Sequence, residues 1–232
     1  MTAAEEAKER GERVPPKSKL GHHLASLQCA GIIDSLRNMP SICVYCGSSR
    51  GRDPAFLWAA RELGTLLAKR GHTLVYGGSS TGLMGAVANA ALEAGGRVIG
   101  VIPDNLVRRE VGHKRLTEQH VVASMHERKA KMVSLADDFL ALPGGVGTLE
   151  EIIEVFVWMQ LGLHAKPCAL LNVNGYYDPL INYLTHMTQQ RFLRPEHLSQ
   201  LIVAREPSEA LDRLLSFTPT AIEKWIDREQ GS

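Results

Sequence analysis

An α/β fold, a single-domain doubly wound parallel sheet with helices on both faces, is predicted by three features of this 232-residue sequence. From Pro40 onward, β-branched or apolar runs alternate with longer helical patterns. Right-handed crossovers between such strands put every strand's carboxyl end on one rim. Three glycine clusters each follow a strand and so fall on that rim, where sheets of this kind bind ligands.

The elements follow in order. Residues 1 to 38 read as an extension: "MTAAEEAKERGERVPPKSK" is charged and carries prolines, and "HHLASLQCAGIIDSL" has the apolar spacing of a short docking helix. The domain proper spans residues 39 to 218, and 219 to 232 form a tail or short helix. Six strands are expected: "SICVYC", "HTLVYG", "RVIGVI", "DFLALP", "PCALLN" and "QLIVA". Helices are expected near residues 54 to 70, 82 to 94, 124 to 136, 148 to 162, 179 to 191 and 207 to 216. The connection from Pro103 to about Ala123 is long for a compact α/β unit and reads as a lid loop on the ligand rim. Its Glu110 has the chemistry to bond a ligand amine or sugar hydroxyl, though loop acids are ordinarily just solvated.

Composition removes several classes of function. Lys and Arg total 26 against 25 for Asp and Glu, so there is no broad basic field for nucleic acid or an anionic membrane. No apolar run reaches the roughly 18 residues of a membrane span, and the charged start is unlike a secretory signal; a cytoplasmic protein is expected. Four scattered cysteines make no disulfide framework. Cys43-x-x-Cys46 lacks a second pair or spaced histidines, so it reads as two thiols within a strand, and no metal is expected.

The glycine clusters are "CGSSRG", "GGSSTGLMG" and "PGGVGT". One such turn is weak evidence, but three converging on one edge point to a nucleotide or phosphate. A dinucleotide fingerprint is missing, because Gly145-Val146-Gly147 meets Glu150 where the third glycine should stand and opens a late crossover. A P-loop is missing too, since no Lys follows a glycine cluster at the required spacing.

Two carboxylates, Glu150 and Glu151, stand directly behind the "PGGVGT" turn. At about 100° per residue, Ile152, Val155, Phe156 and Met159 share the arc that faces the sheet. Glu151 borders that arc and Glu150 lies well outside it, which makes Glu151 the acid held against the site. Ile153, Val157 and Leu161 make the other side of this helix apolar as well, which predicts a subunit contact and a homodimer. In "SMHERKAKMVSLAD", Ser124 and Glu127 fit a capping box, and Met125, Met132, Val133 and Ala136 define an inward arc. Arg128 and Lys129 fall within or beside that arc, so both cations call for an anionic partner, or else they snorkel from a core edge.

These motifs resemble those of the Lonely Guy (LOG) family of phosphoribohydrolases over roughly residues 40 to 217. Pro143 to Glu151 match P-G-G-x-G-T-x-x-E, and Met125 to Lys129 match M-H-x-R-K. "CVYCGSS", "LVYGG", "GLMGAVA", "VIGVIP" and "WMQLGLH" agree in order and spacing. The resemblance implies a Rossmann-like fold and hydrolysis of the N-glycosidic bond of an N6-modified adenosine 5'-monophosphate to free base and ribose 5-phosphate. It implies catalytic roles for Arg128 and Glu151. Binding roles fall to Glu110, Lys129, Gly144, Gly145, Val146, Gly147, Thr148, Leu149 and Glu150, with no cofactor. Three positions depart from the family pattern: Val146 where an aromatic is common, Val157 where Thr is common, and Gly77-Gly78-Ser79 in place of three glycines. A broader purine nucleotide nucleosidase and a non-catalytic carrier of a phosphorylated ligand remain the alternatives.

Overall fold

The computed structural model describes residues 39–107, 111–218 and 220. The expected docking helix, Glu110 and nearly all of the tail lie outside the described residues. From Pro40 onward the chain forms one α/β unit. The strands are β1 (Ser41–Tyr45), β2 (Thr73–Tyr76), β3 (Val98–Pro103), β4 (Glu118–Val122), β5 (Asp138–Ala141), β6 (Cys168–Leu171) and β7 (Leu201–Ala204). The helices are α1 (Pro54–Lys69), α2 (Gly82–Glu93), α3 (Asp104–Val107), α4 (Met125–Leu135), α5 (Val146–Gln160), α6 (Asp178–Gln189), α7 (Pro195–Leu198) and α8 (Pro207–Ser216).

All strand pairs are parallel, in the order β4-β3-β2-β1-β5-β6-β7. The order reverses between β1 and β5, and a crevice opens at such a point beyond the strands' carboxyl ends. The loops after β1 and β5 carry the first and third glycine clusters, so the reversal places them side by side.

Two expected elements change. The stretch from Pro103 to Ala123 is not a bare loop, because it contains α3 and the edge strand β4, paired with β3 from Ile99↔Glu118 to Pro103↔Val122. "EQHVV" is half polar because only one side of this strand has a neighbour in the sheet and its residues alternate toward solvent. The helix behind the third cluster starts at Val146, two residues before the expected Thr148.

Helices α1, α2 and α8 cover one face of the sheet, and α4, α5 and α6 cover the other. Ile152, Val155, Phe156 and Met159 are buried, as the helical period requires. Met132 and Ala136 are buried on α4, but Met125 is 48% exposed because it occupies the first helical position, at the rim rather than over the sheet. Cys43 lies on β1 and Cys46 one residue past its end, not within the strand as expected, and the two pack into opposite cores because residues three apart in extended chain point to opposite faces. Burial pushes both thiols well up, so the C-x-x-C is neither a chelate nor a redox pair. Among the described residues no helix is long and apolar enough to cross a membrane.

Asp138 opens β5 at the end of the sheet away from the glycine loops and is buried. Burial, reinforced by Asp137 and opposed by Lys166, pushes its carboxyl up to about 6. The folded chain therefore holds this proton more tightly than the unfolded chain does. The stability it confers is complete below the unfolded value and is lost as pH rises through about 6. Asp138→Asn should thus raise the unfolding free energy by up to about 3 kcal/mol near pH 8 and by little near pH 4. Urea unfolding at both pH values checks this, and an equal gain at each would remove ionisation as the cause.

Candidate active site

The site begins with the loop after β1. Gly47 N–H donates to Pro143 O at 3.1 Å, and Gly47 O accepts from Leu83 N–H at 3.0 Å. The first cluster is thereby tied both to the third cluster and to the start of α2. Gly82 opens α2 with φ +58°, and a Cβ there would lie 2.2 Å from the Ser48 backbone, so only glycine fits.

The third cluster is held by its carbonyls. Leu142 O accepts from Tyr177 Oη–H at 2.7 Å, Pro143 O from Gly47 N–H, and Gly144 O from Tyr176 Oη–H. In a trans peptide the N–H points opposite the C=O, so holding Gly144 O fixes the direction of Gly145 N–H. Gly145 is the N-cap of α5, with no side-chain cap and no acid in the first turn. The N–H groups of Val146, Gly147 and Thr148 therefore lack intrahelical partners and carry the positive end of the helix dipole. Thr148 is buried under the turn, where a Cβ at Gly144 would come within 2.2 Å of its Oγ1.

The second cluster holds Arg128. From the first turn of α4 this side chain donates Nε–H to Val101 O at 3.1 Å and Nη2–H to Gly77 O at 3.2 Å. A Cβ at Gly77 would stand 1.8 Å from Nη2, so the missing side chain is what admits the guanidinium. Ser124 caps α4 by accepting from Glu127 N–H at 3.1 Å, while Glu127 Oε2 accepts from Ala123 N–H at 2.8 Å. Both halves of the predicted box are used, although the return bond reaches Ala123 rather than the cap itself.

Arg128 Nη1 and Glu151 Oε1 stand 3.5 Å apart, with side chains 10% and 11% exposed. Burial raises the Glu151 carboxyl, Arg128 opposes that rise most strongly, and Glu150 adds to it. Two nearly buried opposite charges at the rim thus face one another one turn inside a helix end whose first N–H groups lack a side-chain cap. Lys129 has a different partner: its ammonium pairs with Glu150 and, at 3.1 Å, with Glu154. Glu150 is largely exposed, and it turns away from Glu151 as the helical period predicts. Val146 is strongly exposed and Leu149 partly so, both on the outer side of α5.

The loop after β3 folds over the second cluster. Ser80 N–H donates to Val111 O at 2.8 Å, His113 N–H donates to Gly78 O at 2.9 Å, and Ser79 bridges Gly112. A pocket of about 210 Å³ lies between the first and third clusters, walled by Gly47, Arg50, Phe56, Gly144, Gly145 and Tyr176 among others. Tyr176, Tyr177 and Arg50 were not singled out from sequence. The available signal was their place, just after the carboxyl ends of β6 and β1 on the rim already marked by glycines.

Comparison with known proteins decides the family. Residues 84–214 match the family described as "Possible lysine decarboxylase". The chain is 48% identical over 178 residues to the cytokinin riboside 5'-monophosphate phosphoribohydrolase LOG of Oryza sativa subsp. japonica, covering 77% of this chain and 74% of that one. It is 48% identical to the cytokinin riboside 5'-monophosphate phosphoribohydrolase of Rhodococcoides fascians, covering 76% of this chain and 89% of that one. The chain belongs to the LOG family.

The LOG assignment agrees with the geometry, since both family motifs meet at the Arg128–Glu151 pair. An X-ray structure from a structural genomics consortium shares the fold at 25% identity and a TM-score of 0.61, covering 77% of this LOG chain and 100% of that one. The molybdenum cofactor binding protein of Rippkaea orientalis has a TM-score of 0.60 at 23% identity, covering 77% and 97%, a likeness of fold alone. Among the described residues of this LOG chain no group of three His, Cys, Asp or Glu side chains is arranged to hold a metal.

Proposed function

We propose that this chain hydrolyses the N-glycosidic bond of cytokinin riboside 5'-monophosphates, releasing the N6-modified adenine and ribose 5-phosphate. The observation that carries this function is the nearly buried Glu151 carboxylate, braced by Arg128 one turn inside a helix whose first N–H groups are free. The 5'-phosphate binds the N–H groups of Val146, Gly147 and Thr148, which places C1' of the ribose toward Glu151.

As the C1'–N9 bond breaks, positive charge builds on C1' and the ring oxygen, and the carboxylate stabilises that charge more than it stabilises the ground state. Water adds its oxygen to C1', one proton passes toward Glu151, and the base leaves with the bonding electron pair and takes up a proton. Arg128 donates to two backbone carbonyls and approaches the carboxylate, so its role is to keep Glu151 ionised and oriented. Lys129, paired with Glu150 and Glu154, braces α4 against α5 behind the site.

The test is a product assay with N6-isopentenyl-AMP and AMP side by side. Release of N6-isopentenyladenine with the higher kcat/KM is expected. Equal or better release of adenine from AMP would move the assignment to a general purine nucleotide nucleosidase, and no release from either would end the hydrolase proposal.

The same surface supports a homodimer. Val146, Ile153 and Val157 of α5, with Tyr183 and Met187 of α6 and Phe192, line an apolar groove of about 530 Å³. Phe192 is 89% exposed and Val146 86%, a cost that a second copy on this face removes. Sedimentation equilibrium should return twice the 25.4 kDa chain mass; the mass of one chain would exclude the dimer.

A further inference from the structure

The two cations of the M-H-x-R-K motif are already engaged. Arg128 is committed to Val101 O, Gly77 O and Glu151, and Lys129 to Glu150 and Glu154. A phosphate at the start of α5 would carry close to two negative charges near neutral pH, and the helix end supplies roughly half a unit of positive charge. A further cation is needed beside the turn, and the first glycine loop holds one.

We propose that Arg50 is the phosphate-neutralising residue of this site, and that it gives the enzyme its preference for a 5'-monophosphate over the unphosphorylated riboside. This rests on the hydrolase function proposed above. Arg50 lines the same pocket of about 210 Å³ as Gly144 and Gly145. Among the described residues its guanidinium has no acidic partner. The nearest acid along the chain, Asp53, is occupied by Ala55 N–H and by Asn174 Nδ2–H, each at 2.9 Å.

The loop that carries Arg50 is built into the site. Gly51 has φ +71°, its N–H donates to Ser49 Oγ at 3.3 Å, and the Phe56 ring packs against it so closely that a Cβ would meet Cδ2 at 2.7 Å. Phe56 in turn meets Tyr176 edge to face, with centroids 5.3 Å apart, and Tyr176 donates to Gly144 O. The cation loop and the anion-binding turn are therefore coupled through two aromatic rings. An Arg here can reach over the pocket with a planar pair of donors suited to two phosphate oxygens.

Arg50→Gln and Arg50→Lys are the variants to make; the side chain is exposed, so the fold should be unaffected. For N6-isopentenyl-AMP, Arg50→Gln should raise KM on the order of 10-fold or more with kcat nearly unchanged, the pattern of lost uniform binding. Arg50→Lys should recover part of that loss, and the monophosphate-over-riboside ratio of kcat/KM should fall by the same factor. Calorimetric binding of ribose 5-phosphate should weaken in parallel, and this readout holds even if the chain cleaves neither nucleotide. Unchanged KM and unchanged ribose 5-phosphate affinity would overturn the role of Arg50 while leaving the hydrolase intact. Absence of turnover in the wild type, with ribose 5-phosphate binding still dependent on Arg50, would overturn the reaction and leave the anion site standing.

Discussion

Glu151→Gln is expected to lower kcat by about 10²-fold or more while KM changes little, the range usual for an acid–base group acting in the transition state. The amide keeps the size of the side chain and its place beside Arg128 but removes the negative charge that the proposed mechanism sets toward C1'. Because α5 begins five residues earlier and its first-turn N–H groups are untouched, phosphate binding should survive. Turnover near wild type, measured by release of free base, would remove Glu151 from the reaction. The same assay separates Glu151 from Glu150: Glu150→Gln removes the exposed pairing with Lys129 and a lesser electrostatic push on Glu151, and should cost far less.

Arg128→Met should cost a comparable factor, for a different reason. Methionine fills much of the space but withdraws the charge that opposes the burial-driven rise of the Glu151 carboxyl. The sign follows directly. In the proposed mechanism activity requires the ionised carboxylate, so it falls as pH drops through the Glu151 pKa, which burial has already pushed upward. Removing Arg128 moves the limb further up, so the loss grows as pH falls and shrinks as pH rises. Protonation of the substrate phosphate, near pH 6, is common to every variant and cancels in the comparison. A pH profile of kcat should show the displaced limb in Arg128→Met and its disappearance in Glu151→Gln. An unmoved limb would mean that Arg128 does not act through Glu151. The double variant should be little worse than the worse single one, because the two residues work as a unit.

Much of this site was legible in one dimension because helical and strand periods are local. The 100° period separated Glu151 from Glu150, and the structure puts them 11% and 54% exposed, on Arg128 and Lys129 respectively. The spacing of Ser124 and Glu127 predicted the start of α4, and the glycine clusters predicted the rim. Met125 went against its arc, since a wheel has no knowledge of where the sheet ends. Strand β4 was hidden because an edge strand shares too little of the core to carry an apolar run. Lys129 was legible as a buried-side cation but not as the partner of two glutamates, since both lie on a different helix.

The sequence by itself determined the α/β class, the rim on which the glycine clusters gather, and which acid behind the glycine turn faces inward, because each depends on the repeat of a single element. Only the tertiary structure decided what holds that acid and that turn. Arg128 reaches Gly77 across 51 residues, Tyr177 reaches Leu142 across 35, and Tyr176 reaches Gly144 across 32. A hydrogen bond between groups so far apart along the chain is selected by the strand order and by the room a missing Cβ leaves, and neither has a period that can be read from neighbouring residues.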